Sequence, residues 1–200
     1  MKNSNYLMKK SLLVLITAGS ILLYLPINRL ITDGYELQLA IDDRIPLLPV
    51  FAIPYLCAFA YWLLTIIFIN DTQPKNIINR FNLIIILASV LSCLIYVFIP
   101  TYVTRPIITQ TDIYSQILNW IYTNDHIYNA APSGHTFYTI ICSWALWKAI
   151  PKLKLIWLLL AILIISSTTL TKQHNFLDIF SGGIFAWLII LLSAKLTTKK

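Results

Sequence analysis

Three short segments carry residue types that could do chemistry together. The first is Pro132-Ser133-Gly134-His135, set between the polar run Thr123-Asn124-Asp125 and an apolar stretch, so it opens a helix. Proline suits a first turn, where its missing N–H costs nothing. Ser133 can cap, and Gly134 lets a ligand come close to the backbone. The free N–H groups and the dipole of such a helix start favour phosphate. The same four residues also read as a well-capped helix with an incidental histidine.

The second segment is Lys172-Gln173-His174-Asn175-Phe176-Leu177-Asp178. A spacing of four puts His174 and Asp178 on one helical face. A carboxylate there can accept from one imidazole nitrogen and fix the tautomer, which leaves the other as nucleophile or base. Two other readings stand beside this one. Asp178 suits the dipole of a helix start, or the pair binds a metal with His135 or Asp125 as further ligands. The third segment, Thr104-Arg105-Pro106, offers a guanidinium that either snorkels to the interface or meets an anion.

The elements that must position these residues follow from composition. Of 200 residues, 58% are hydrophobic and 12% charged, against about 45–50% and about 25% in a soluble domain. With mean hydropathy at +0.74, that excludes disorder, collagen, coiled coil and a secreted disulfide scaffold. The net charge of +7 is dispersed around apolar blocks and forms no basic face, so nucleic acid is not expected. Cys57, Cys93 and Cys142 lie inside apolar runs and read as packing residues.

Six stretches approach the ~20 apolar residues that a spanning helix needs: 11–27, 50–69, 81–100, 133–150, 154–171 and 177–194. The first reads as a signal anchor, and Pro54 should kink the second. Short amphipathic segments are expected before the second span and around 112–122, where Ile113, Ile117, Leu118 and Ile121 form a stripe. With the N-terminus inside, Lys2, Lys9, Lys10, Lys75, Arg80, Lys148, Lys152, Lys154, Lys195, Lys199 and Lys200 are inside. That is 11 of 15 basic residues, while seven of eight acids fall outside. The bias predicts a single all-α domain over 1–200, a six-transmembrane-helix bundle with both termini inside. Every histidine and all three chemical segments then share the outer face.

Arg-Pro, then Pro-Ser-Gly-His, then His-x-x-x-Asp, in that order between spans, resembles the type 2 phosphatidic acid phosphatase superfamily over roughly residues 40–190. These are integral membrane lipid phosphatases and phosphotransferases. The resemblance implies that His174 forms a phosphohistidine, that Asp178 orients it and that His135 protonates the leaving oxygen. It also implies that Arg105, Ser133 and Gly134 hold the phosphoryl oxygens, with no metal and no other cofactor. Two family cations are missing, because Phe98 and Thr168 stand in their places. Lys172 is expected to restore one charge at the phosphate. Lys172-Gln173-His174, Asp42-Asp43-Arg44-Ile45-Pro46 and Tyr128-Asn129-Ala130-Ala131-Pro132 look like the branch of the inositol phosphorylceramide synthases, although that branch often has Leu at the position of Gly134.

The expected partners are the bilayer and a phospholipid or isoprenoid (di)phosphate, in an inner membrane with the site on the extracytoplasmic side. The expected reaction is hydrolysis of that phosphate. Transfer to an alcohol and a non-enzymatic or catalytically dead six-helix protein are the alternatives. A transporter would show inverted repeats and broken mid-membrane helices, which this sequence lacks.

Overall fold

Long apolar runs without alternation leave the backbone no water to bond, so they close their hydrogen bonds as helices. The structure, a computed structural model, describes residues 2–197, with side chains described from 11 to 196. Lys2, Lys9, Lys10, Lys199 and Lys200, counted in the charge bias, have side chains outside that range. The elements run α1 (Lys2–Ile21), α2 (Tyr24–Leu30), β1 (Tyr35–Glu36), α3 (Ala52–Thr72), α4 (Lys75–Phe98), β2 (Thr101–Tyr102), α5 (Ile113–Asn124), α6 (Gly134–Ala149), α7 (Lys154–Leu170) and α8 (Phe176–Thr197). Short 3₁₀ turns precede α3 and α7.

Among the described residues, five helical segments are long and apolar enough to cross a membrane: Ser11–Leu30, Pro49–Thr72, Lys75–Phe98, Pro151–Leu170 and Phe176–Leu196. The sixth expected span, 133–150, is different. Its helix α6 has 16 residues, about 24 Å at ~1.5 Å each, short of a hydrocarbon core of about 30 Å. It packs against α3, α4, α7 and α8 and buries Phe137, Tyr138, Ile141, Cys142, Ala145 and Leu146. A helix surrounded by others needs no lipid-matched length. The outward faces of α7 and α8 carry Leu159, Ile162, Leu163, Leu188 and Leu191, a surface suited to lipid and not to water.

Pro54 falls in the first turn of α3, where no intrahelical partner awaits its N–H. The expected kink therefore has no helix interior to act on. Around 112–122 the expected helix is present as α5, capped by Asp112, whose side chain accepts from the Tyr114 and Ser115 amides. Leu118 and Ile121 pack with Ala52 and Tyr55, with Ile117 alongside. Ile113, read as part of that stripe, is instead exposed. Before α3 the chain forms the 3₁₀ turns Asp42–Arg44 and Pro49–Phe51, so the expected amphipathic segment there has no α-helix.

A small clasp fixes the connection after α4. β1 and β2 pair in parallel, and the Tyr35 N–H donates to the Pro100 carbonyl. Gly34 makes this approach possible, because a Cβ there would lie 2.6 Å from the Pro100 oxygen. The Glu36 carboxylate then accepts from the Thr104 amide at 2.7 Å and its hydroxyl at 3.0 Å. Arg105 follows directly.

Candidate active site

The α7–α8 turn is built by a Schellman motif. The Lys172 amide donates to the Thr169 carbonyl, and the Gln173 and His174 amides both donate to the Thr168 carbonyl. Lys172 takes the left-handed position at φ 53°, where glycine is usual. Its Nζ donates to the Asp42 carbonyl at 2.7 Å. Asp42 is buried, and its side chain accepts from the Phe176 amide at 2.7 Å and the Leu39 amide at 2.8 Å. The Asp42 segment and the Lys172 turn therefore form one latch that sets the start of α8. Lys172 does not line the pocket shared by Arg105, His135 and His174, and its amine is engaged with the Asp42 carbonyl. Its amine is held behind the turn.

His174 precedes α8 and does not sit on it. The spacing of four works for another reason: Asp178 reaches back to accept from the Asn175 amide at 2.8 Å, as the third helical residue does in a capping box. The His174 Nδ1 lies 3.7 Å from Asp178 Oδ2, longer than a hydrogen bond, and has no other partner among the described residues. Asp178 is fully buried. Its carbonyl accepts from the Ser133 amide at 3.0 Å, which joins the two helix starts. Gly182 permits this approach, since a Cβ there would lie 2.9 Å from the Ser133 carbonyl oxygen.

At the α6 start, Ser133 is the cap and its Oγ accepts from the Thr136 amide at 3.3 Å. Ser133 is fully buried and, unlike Gly134 and His135, does not line the pocket. The contact this hydroxyl makes in the structure is the cap at the start of α6. The Gly134 and His135 amides are the first two of the helix, which no intrahelical carbonyl reaches. His135 stacks on Tyr55 with ring centroids 4.0 Å apart, and Trp62 and Phe59 meet it edge-on. The His135 and His174 ring centroids are 6.2 Å apart.

Arg105 lines the same pocket. Its NH1 donates to the Asp125 carbonyl at 2.6 Å, and its NH2 to the His126 carbonyl at 3.1 Å and to the Gln173 side-chain carbonyl. Its Nε has no partner among the described residues. Asp125 Oδ2 lies 3.9 Å from NH2. Burial pushes the Asp125 carboxyl above the usual carboxylate range, against the pull of the Arg105 charge.

Among the pocket residues that sequence reasoning missed, four are polar groups close to Arg105 or the histidines or to the loop that holds them. Gln173 and Asn129 stand inside segments already singled out, and each leaves one side-chain atom unpartnered. Tyr24 and Asn28 come from α2 and had no signal. The Asn28 side chain donates to the Tyr128 carbonyl at 2.7 Å and accepts from the His126 amide at 3.0 Å. It holds the loop whose carbonyls hold Arg105.

Fold and site together define a multi-pass helical membrane protein that gathers ionisable side chains in one pocket at one end of its bundle. The chain belongs to the PAP2 superfamily, whose family model matches residues 34–192. Membership brings phosphatase- or phosphotransferase-type chemistry. No curated protein and no solved structure matches the chain. Tyr24 and Asn28 lie outside the matched range.

Proposed function

We propose that this protein is an integral membrane phosphatase that hydrolyses a lipid phosphate or diphosphate through a phosphohistidine on His174. One observation carries the reading. Among the described residues, nine buried side-chain atoms lack a hydrogen-bond partner, and eight belong to Arg105, Asn129, His135, Thr136, Gln173, His174, Asn175 and Asp178. Unsatisfied buried polar groups are few in native proteins, and each calls for an explanation. A tetrahedral oxyanion supplies acceptors for Arg105 Nε, Gln173 Nε2 and the α6 amides.

In the proposed reaction the phosphoryl group lies between the two imidazoles. In-line attack needs about 3 Å on the His174 side, and a hydrogen bond from His135 to the leaving oxygen needs about 2.8 Å. His174 Nε2 attacks phosphorus as the P–O bond to the lipid breaks, and the His135 proton passes to the departing oxygen. Asp178 stabilises the cationic imidazole through Nδ1, after a closure of the 3.7 Å gap of the kind expected on substrate binding. Water then attacks the phosphohistidine with His135 as base, releasing inorganic phosphate. Catalysis here is mainly positioning and charge neutralisation. Gly134 keeps the helix start open to the phosphoryl oxygens, Ser133 fixes that start, and Lys172 positions the turn from behind.

The charge bias supports six crossings, with α6 as the shortest, both termini inside and the pocket on the extracytoplasmic side of an inner membrane. The reading is tested by incubating purified protein with a panel of lipid phosphates and diphosphates and assaying free phosphate. Release from at least one, abolished in His174→Ala, is expected. No release from any, with wild-type protein shown to be folded, would reject the hydrolase. Transfer of the headgroup to an added alcohol without free phosphate would identify a transferase.

A further inference from the structure

At the end of the bundle away from the histidine pocket, a second cavity of about 290 Å³ opens where α4 begins and α6 ends. Gln73, Asn76, Arg80, Trp144 and Lys148 are among its lining residues, and none of the lining residues is acidic. The Arg80 guanidinium carbon lies 5.3 Å from the Trp144 ring centroid, and Lys148 Nζ lies 4.8 Å from it. Two cations from different helices thus converge on one indole. Arg80 is anchored to α8, with Nε donating to Ser193 Oγ at 3.2 Å and NH2 to the Ile190 carbonyl at 3.3 Å. Neither cation has a carboxylate partner among the described residues.

Topology explains why basic residues gather at this end, but it does not require two of them to flank one ring in one cavity. Like charges held together repel, and the indole faces offset only part of that. The start of α4 adds the positive end of its dipole near the same place: Pro74 is its cap residue and provides no side-chain acceptor, so no cap or intrahelical carbonyl serves the Lys75 and Asn76 amides. The cavity also has apolar walls from Ile77, Phe81, Ala145 and Ala149, and tryptophan favours the membrane interface.

We propose that this cavity binds the phosphate of an anionic phospholipid headgroup, in the leaflet opposite the histidine pocket. Arg80 and Lys148 neutralise the phosphate, Gln73 and Asn76 offer amide donors, and the apolar wall takes the glycerol end. The proposal does not depend on the histidine chemistry.

The test uses full-length protein in neutral detergent and compares phosphatidylglycerol with phosphatidylcholine, by native mass spectrometry and by thermal shift. Wild type should retain phosphatidylglycerol preferentially. Each basic residue near an anionic lipid is worth about 1 kcal/mol, so Lys148→Gln should weaken retention about fivefold. Lys148→Glu should abolish the preference. Lys148 is exposed, so both variants should melt like wild type in phosphatidylcholine. Arg105→Gln should leave the preference intact, which separates this cavity from the histidine pocket. Equal retention by wild type and Lys148→Glu would overturn the proposal. A shift with soluble glycerol phosphate as large as with the lipid would keep the anion site but overturn the lipid as its occupant.

Discussion

Two regions where this bundle holds polar side chains are treated differently. Between the apolar helices, Asn70 and Asn82 exchange a reciprocal pair of amide hydrogen bonds at 2.8 and 3.0 Å. Ser89 bonds Ser20 on one side and Tyr138 on the other, and Trp62 Nε1 donates to Thr139. These groups are satisfied by one another. In the pocket, by contrast, Arg105, Gln173, His135 and His174 are buried or nearly so and each keeps an unpartnered atom. Satisfied pairs join helices where there is no water. Unsatisfied groups at one end of the same bundle are instead arranged for something outside the chain.

The sharpest way to break this contrast is at His174. His174→Ala should reduce phosphate release to background without lowering the melting temperature, since the side chain has no hydrogen bond to lose among the described residues. Asp178→Asn should follow, with a loss of roughly 10²–10⁴-fold in kcat. Arg105→Lys loses the planar fork that reaches four carbonyls and should raise KM and lower kcat, about 10–100-fold in kcat/KM. Asn28→Ala should act through the same guanidinium with a smaller effect, largely in KM. Lys172→Ala should leave KM close to wild type, because the amine faces the Asp42 carbonyl.

In the satisfied layer the pattern should reverse. Asn70→Ala leaves the Asn82 amide unpaired and should cost about 0.6–1.7 kcal/mol of stability, with kcat unchanged. The double replacement Asn70→Leu and Asn82→Leu should recover much of that loss, because both unsatisfied groups are removed.

The smallest effect concerns pH. Burial raises the Asp125 carboxyl above its unfolded value, so the folded state binds the extra proton between the two pKa values. The stability it contributes is complete below the ordinary carboxylate range and is lost as pH rises through the raised value. Asp125→Asn removes that dependence. The melting temperature of the variant relative to wild type should therefore climb with pH across this window, as followed by thermal unfolding in a pH series. A flat difference would mean that Asp125 titrates normally.

That His174, His135 and Arg105 share one pocket was legible from residue type and order along the chain. What those clues could not show was which face of each residue is already engaged. Lys172 looked like a replacement for the cations absent at Phe98 and Thr168. The left-handed turn, however, sends its amine to a backbone carbonyl 130 residues away in sequence. Ser133 was legible as a cap, and capping is the role its hydroxyl takes. Asn28 was illegible, since an asparagine on a short helix announces nothing until the His126–Tyr128 loop is seen to rest on it. The short length of α6 escaped notice because Ile150 and Pro151 continue its apolar run past the point where the helix stops.

The central claim is that His174 bonds covalently to phosphorus. Wild-type protein incubated with phosphate-labelled lipid and quenched in alkali should carry a label that is stable to base and released by acid, located by mass spectrometry on His174. His135→Ala should accumulate less of it from poor leaving groups than from good ones. A His174→Ala protein that hydrolyses the same lipid as fast as wild type would contradict the account.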